Sequence, residues 1–245
     1  MFDLVIFDLD GTLVDTAPEQ SDAVNDALET LGYARVTEAL VRDWIGHGTR
    51  ELMLKALSHA ADWSEEALCR SGAIDSAMLV FAGHYAARCG TRARPYPGVE
   101  ATLQELRKLS VHTALVTNKE RRYVSSLLTS VGLLRYFDPL VAGDSLHEKK
   151  PHPLPLQVCL RAHAIRPERA LFVGDSSIDI EAARNAGVAV WVVPYGYNQG
   201  RPIAASEPDR VIATVTEVLS AVRMDRLVGV HGAGIARGGY AKGAC

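Results

Sequence analysis

The sequence predicts an α/β protein in which a doubly wound parallel sheet is interrupted, after its first strand, by an inserted helical domain. Three observations predict it. The apolar run Leu4-Val5-Ile6-Phe7 ends in Asp8 and Asp10, one residue apart, and then Gly11-Thr12. Roughly 75 residues of helical patterning, with no strand-like run, lie between Thr16 and Arg92. From Gly98 to Val222 apolar strands and amphipathic helices alternate, the pattern of a parallel sheet with helices on both faces.

Four apolar residues in succession read as a strand buried on both faces. Ligands of open parallel sheets bind beyond the carboxyl ends of the strands, where Asp8 and Asp10 fall. Taken alone, the two acids would also serve simply to turn the chain. Pro18–Leu31 is helical, with Ala23, Ala27, Leu28 and Leu31 on one face. Thr16 stands at its N-cap, Pro18 in its first turn, Glu19 three residues after the cap, and Gly32 ends it. Helical patterns continue over Val36–Ile45, Arg50–Ala60 and Ser64–Arg88. A βαβ crossover needs far fewer residues, so this stretch is a domain of its own. Cys89–Gly98, rich in Pro and Gly, is the return linker.

The alternation then runs as a helix at Gly98–Lys108, a strand at His112–Thr117 and a helix at Lys119–Val131. A short strand at Leu140–Ala142 and a helix at Pro153–His163 follow. The strand Ala170–Val173 ends in Gly174-Asp175 and leads into a helix at Ile178–Ala186. Strands at Val188–Val193 and Arg210–Ile212 and a helix at Thr214–Val222 complete it, with no internal repeat. The sheet domain is therefore residues 1–15 and 93–225, and the helical domain 16–92. Residues 226–245 form a Gly-rich tail, expected to be flexible because it lacks the apolar content to offset the entropy of ordering.

With 48% hydrophobic and 22% charged residues, the 245-residue chain can build an ordinary globular core. A net charge of -3 gives no sign of a nucleic-acid surface. No apolar run approaches the roughly 20 residues of a membrane-spanning helix. The chain opens on its buried strand with no basic n-region and no separate apolar h-region, so a signal peptide is not expected. Cys69, Cys89, Cys159 and Cys245 are scattered without a CxxC pair, which argues against disulfide or zinc use and for a cytoplasmic location. No pattern in the residues fixes an oligomeric state.

Four strand ends bring polar groups to one edge of the sheet: Asp8 and Asp10; Thr117 and Asn118; Lys149-Lys150-Pro151; and Gly174-Asp175-Ser176-Ser177-Ile178-Asp179. Each alone has a structural explanation, a helix cap for Asp175 or Thr117 and solvated surface charge for the lysines. All four together on one edge do not. Three carboxylates in one place repel, at about 4 kcal/mol per pair 4 Å apart and an effective dielectric near 20. Such a site calls for cations. A hard divalent ion such as Mg²⁺ suits carboxylate and phosphate oxygens together, and a lysine suits phosphate as a point charge.

The run Asp8-Leu9-Asp10-Gly11-Thr12-Leu13-Val14-Asp15-Thr16, with the three later strand ends in order, resembles the four motifs of the haloacid dehalogenase (HAD) superfamily from about Phe2 to Val222. The resemblance implies a Rossmann-like core, with the inserted helices as a cap closing over the sheet edge. It implies that Asp8 is the nucleophile that becomes an aspartyl phosphate. Asp10 is implied as general acid and then base, Thr117 and Asn118 as phosphate binders, and Lys150 as the charge holding Asp8 and the phosphate. Asp8, Asp175 and the backbone carbonyl of Asp10 are implied as Mg²⁺ ligands, with Asp179 orienting metal-bound water. The acid at position 10 separates the chain from the dehalogenase branch. The implied partner is a small-molecule phosphate ester, with no nucleic acid and no membrane.

Trp44–Leu52, Lys149–Leu156 and Tyr195–Gly200 resemble phosphoglycolate phosphatases, a group within that superfamily. A cap that reads the carboxylate of 2-phosphoglycolate needs a donor or a cation, and His47 and Arg50 are the candidates, beside backbone N–H groups near Gly46 and Gly48. The alternatives are a broader sugar phosphatase, a β-phosphoglucomutase-like phosphotransferase, or a non-catalytic module that binds a phosphorylated ligand.

Overall fold

The opening apolar run forms β1 (Leu4–Phe7), with every residue buried. The computed structural model describes residues 2–220 and 222, so the predicted tail at 226–245 lies outside the described residues. After β1 come the short β2 (Val14–Asp15) and five helices: α1 (Ala17–Thr30), α2 (Glu38–Trp44), α3 (Thr49–Ala61), α4 (Glu65–Ser71) and α5 (Ala73–Arg88). The chain returns through β3 (Arg94–Pro95) to α6 (Val99–Lys108), β4 (His112–Val116), α7 (Arg121–Ser130), β5 (Leu140–Val141) and α8 (Leu154–Ala162). Then follow β6 (Ala170–Gly174), α9 (Ser177–Ala186), β7 (Ala189–Val192) and β8 (Arg210–Val211). Residues 217–220 are again helical, at the limit of the described chain.

Six strands form one parallel sheet in the order β5-β4-β1-β6-β7-β8. Phe7 lies opposite both Leu115 and Val173, so the carboxyl ends of β4, β1 and β6 are level. The period-two alternation of a strand divides its side chains between two layers. Val5 and Phe7 pack with Leu103, Leu106, Val124 and Leu127 of α6 and α7. Leu4 and Ile6 pack with Leu156, Cys159, Ile180 and Ala183 of α8 and α9 on the other face. Each fully buried Leu, Ile or Phe contributes about 1.5–3 kcal/mol relative to exposure. The doubly wound architecture thus follows from apolar residues on both faces of β1.

Helices α1–α5 build a third apolar cluster, which includes Val24, Leu28, Met53, Leu57, Phe81 and Tyr85. Tyr123 of the sheet domain and Tyr197 join it. The chain enters and leaves this helical unit through an antiparallel ribbon in which Val14 pairs with Pro95 and Asp15 with Arg94. A ribbon of two residues per strand is too short to show a period. The helical run predicted over Ser64–Arg88 is broken at Gly72, which adopts φ 72° and caps α4 through its N–H to the Cys69 carbonyl.

The start of α1 departs from the capping arrangement that the sequence suggests. Thr16 is the N-cap residue, but its side chain caps nothing; the hydroxyl donates to Asp10 at 2.5 Å. Glu19, expected to reach back to the cap, instead holds the return linker. Its fully buried carboxylate accepts from the N–H groups of Gly90, Arg92 and Ala93 at 2.9–3.2 Å. Burial lifts its pKa, and those donors with Lys119 oppose the rise. In Glu19→Gln one neutral carbonyl oxygen would replace the charged acceptor of all three N–H groups, and the amide NH₂ would face the Gly90 N–H. The expected loss is about 2 kcal/mol, read as a fall of roughly 4–8 °C in Tm by thermal unfolding. An unchanged Tm would show that this clasp does not hold the two segments together.

Candidate active site

The level ends of β1 and β6 bring Asp8, Asp175 and Asp179 together. One oxygen from each lies within 4.8 Å of the others, and all three side chains are buried. Lys150, from the loop before α8, places Nζ 2.7 Å from an oxygen of Asp8 and 2.7 Å from one of Asp179. Burial alone would lower the Lys150 pKa, but the two carboxylates hold it above the ordinary lysine range. Asp8 is pushed up to about 7 by burial, with Asp179 and Asp10 adding to the rise and Lys150 opposing it. Asp175 is driven up in the same way, by burial and then by Asp179 and Asp8.

Each acid is held by neighbours that leave oxygen lone pairs over. Thr12 donates to Asp175 at 2.6 Å and the Tyr197 N–H at 2.5 Å. Asp179 accepts from the Ser176 hydroxyl and N–H at 2.7 and 3.0 Å, in a capping box that starts α9. Gly11, at φ 85°, packs against Asp175, and a Cβ there would fall 2.3 Å from a carboxylate oxygen. Three buried carboxyl groups gather around one ammonium, which touches Asp8 and Asp179, and the raised pKa values of Asp8 and Asp175 mark the surplus of acid over cation. An all-oxygen donor set with that surplus fits a hard divalent cation.

Asp10 turns away from this trio. Its carboxylate meets Nζ of Lys119 at 2.9 and 3.2 Å and accepts from Thr16 at 2.5 Å. Lys119 is 3% exposed and lies 5.0 Å from the centre of the Tyr85 ring, on α5. Burial works against its charge, yet Asp10 keeps its pKa above the usual value. Thr117, at the end of β4, accepts from the Lys119 N–H at 3.2 Å, which leaves its hydroxyl proton available. Asp8, Asp10, Thr117, Asn118 and Lys119 line one small cavity of about 20 Å³, with Ile45, Gly46, Gly48, Thr49 and Leu52 lining its helical side.

Polar contacts beside the cavity help seat the helical unit on the sheet edge. The Asn118 amide donates to the Gly46 carbonyl at 3.0 Å, Lys149 donates to the His47 carbonyl at 2.7 Å, and Thr49 donates to Glu120. The Asn118 amide also donates to the Lys150 carbonyl at 3.0 Å. Both amide hydrogens expected to bind phosphate therefore bind the loops that carry Gly46 and Lys150. Neither basic residue expected to read the substrate lines the cavity. Arg50 forms an exposed ion pair with Asp75 at 2.7 Å, of the kind worth about 0–1 kcal/mol. The His47 ring lies 3.2 Å from Gln199, outside the cavity. Residue 50 is in the first turn of α3, and its side chain projects from the outer face while Thr49 faces inward.

Sequence reasoning passed over Lys119, Thr12 and Tyr197. Lys119 follows Thr117-Asn118 directly at a strand end, the one signal that could have marked it. Tyr197 binds Asp175 through its N–H, while its hydroxyl donates to Asp15 at 2.5 Å and accepts from the N–H groups of Thr16 and Ala17 at 3.0 Å. One residue thus ties the acid cluster to the entry of the helical unit. The described cysteines Cys69, Cys89 and Cys159 are free, and no helix among the described residues is long and apolar enough to cross a membrane.

Residues 5–193 match the family model of the haloacid dehalogenase-like hydrolases. The chain is similar to a phosphoglycolate phosphatase of Vibrio parahaemolyticus, 39% identical over 89% of this chain and 95% of the relative. A phosphoglycolate phosphatase of Vibrio vulnificus is 41% identical over 89% of this chain and 95% of its own length. A solved structure described as a predicted phosphoglycolate phosphatase from Haemophilus somnus superposes with a TM-score of 0.83, at 36% identity, over 90% of this chain and 97% of that one.

Proposed function

The chain belongs to the haloacid dehalogenase-like hydrolases, in their phosphoglycolate phosphatase family, and from that premise we propose that it hydrolyses 2-phosphoglycolate to glycolate and phosphate, with Mg²⁺, through an aspartyl phosphate on Asp8. It is a phosphatase; substrate, ion and intermediate are the finer reading. The observation that carries this reading is the division of the carboxylates into two settings. Asp8 stands with Asp175, Asp179 and Lys150, whereas Asp10 is held apart by Lys119 and Thr16. Two acids separated by a single residue are thereby assigned different tasks.

An oxygen of Asp8 bonds to phosphorus as the bond from phosphorus to the glycolate oxygen breaks. Asp10, which enters this step protonated, gives that proton to the departing oxygen. Asp10, then a carboxylate, takes a proton from water. The water oxygen attacks phosphorus, the bond to Asp8 breaks, and phosphate leaves. Lys150 keeps Asp8 oriented and offsets charge on the phosphate, and the free Thr117 hydroxyl proton donates to a phosphate oxygen. Asp8, Asp175 and the Asp10 carbonyl would hold Mg²⁺, with Asp179 beside them. When bound, the ion offsets the negative charge that acids and phosphate bring together. Residues 16–92 act as the cap on the core of residues 1–15 and 93–225, excluding water from the edge.

The similarity to phosphoglycolate phosphatases at 39–41% identity favours phosphoglycolate over the sugar-phosphate alternatives. The test is phosphate release with Mg²⁺ from 2-phosphoglycolate beside glucose 1-phosphate and other sugar phosphates. A preference of about 100-fold or more in kcat/KM for 2-phosphoglycolate is expected. Even release across the panel would remove the substrate assignment and keep the chemistry. Isomerised sugar phosphate in place of free phosphate would replace it with a mutase.

A further inference from the structure

We propose that Lys119 is the specificity-determining cation of the site, pairing with a carboxylate on the leaving group, an inference that rests on the phosphatase reading above. Lys119 is the only cationic side chain among the described residues that line the cavity over Asp8 and Asp10. Lys150 is already shared between Asp8 and Asp179. Arg50 and His47 present their side chains elsewhere. A leaving group bearing a negative charge therefore has one ammonium to meet.

The position of that ammonium fits a two-carbon acid. Nζ lies 2.9 and 3.2 Å from the two oxygens of Asp10, the group that serves the departing oxygen. In a glycolyl ester the carboxyl carbon is roughly 2.4 Å from that oxygen, across two single bonds. A carboxylate so close to Asp10 is within hydrogen-bond reach of an ammonium seated on Asp10. The charge is also built in. An unpaired ammonium buried this deeply would cost several kcal/mol. Asp10 pairs it in the ligand-free protein, and the face of Tyr85 lies 5.0 Å away. Tyr85 belongs to the helical unit, so both domains contribute to the seat of the cation. A neutral alcohol in the same place would leave the ammonium with Asp10 and make no ion pair of its own, so a buried charge discriminates between the two esters.

The test compares 2-phosphoglycolate with ethylene glycol monophosphate, which keeps the skeleton and replaces the carboxylate by a hydroxymethyl group. Steady-state kcat and KM are measured on the full chain with Mg²⁺ for the wild type, Lys119→Met, Lys119→Gln and Lys119→Arg, with a thermal melt of each. The wild type is expected to favour 2-phosphoglycolate by about 100-fold or more in kcat/KM. In Lys119→Met that ratio should collapse to within roughly tenfold, mainly through the KM for 2-phosphoglycolate, and Lys119→Arg should keep most of it. Should the methionine variant fail to fold, Lys119→Gln, which retains a hydrogen bond to Asp10, gives the same ratio. Equal losses on both esters would overturn the proposal and leave Lys119 as a residue that only positions Asp10. A wild type that hydrolyses both esters equally well would also overturn it, with the phosphatase reading intact. A wild type that hydrolyses neither would instead bring down the phosphoglycolate reading on which the proposal rests.

Discussion

An Asp8→Asn variant is expected to fold normally and to lose phosphate release by a factor on the order of 10⁴–10⁶. Asparagine matches the shape of aspartate but offers an amide where the reaction needs a carboxylate nucleophile. The structure gives a reason for the fold to tolerate the change. Asp8 sits among Asp179, Asp175 and Asp10, and burial already works against its charge, holding its pKa at about 7. Removing that charge relieves repulsion, and Lys150 keeps Asp179 at 2.7 Å. Tm should therefore move by no more than about 4 °C. The contrast with Asp10→Asn sharpens the test. That variant keeps the nucleophile and should accumulate a phosphorylated protein that acid quench and mass spectrometry detect. Turnover of Asp8→Asn within tenfold of the wild type would falsify the assignment of the nucleophile.

Chelation should abolish activity, and added Mg²⁺ should restore it together with a gain in stability. An ion that binds the folded protein alone adds about 2.7 kcal/mol at 100 times its Kd. For a chain of this size that is a rise of roughly 5–11 °C in Tm. The pH dependence follows from the acid cluster. The folded pKa of Asp8 is raised above its unfolded value, by burial first. The stability linked to that proton is fully present below the unfolded pKa and is lost as pH rises through about 7. The metal-free protein is thus penalised by this group at pH 8 relative to pH 6, whereas the ion favours the unprotonated form. The Tm gain from Mg²⁺ should be larger at about pH 8 than at about pH 6. Differential scanning calorimetry with and without Mg²⁺ at both pH values reads this directly. Full activity after chelation, or a gain that shrinks with rising pH, would remove the metal from the reading.

What the sequence determined by itself was the order of elements and the edge on which the chemistry gathers. Strand and helix periods are local, and a right-handed parallel sheet sets all its strand ends on the same side, so Asp8, Thr117 and Asp175 could be placed before any coordinates. Gly72 as a helix break and the two-residue ribbon of β2 and β3 escaped because neither imposes a period long enough to read. What only the tertiary structure decided was which side chains far apart in the sequence meet. Lys119 reaches Asp10 over 109 residues, Glu19 clasps Gly90 over 71, and the Asn118 amide holds Gly46 over 72. Arg50 and Thr49 are neighbours in sequence, yet one faces solvent and the other the cavity, because the rotation of α3 is set by the burial of Leu52, Met53 and Ala56. The first two pairings depend on how distant segments close within one unit, and the third on how two separately built apolar cores dock; both are encoded in the shape and charge of whole surfaces, which no local period records.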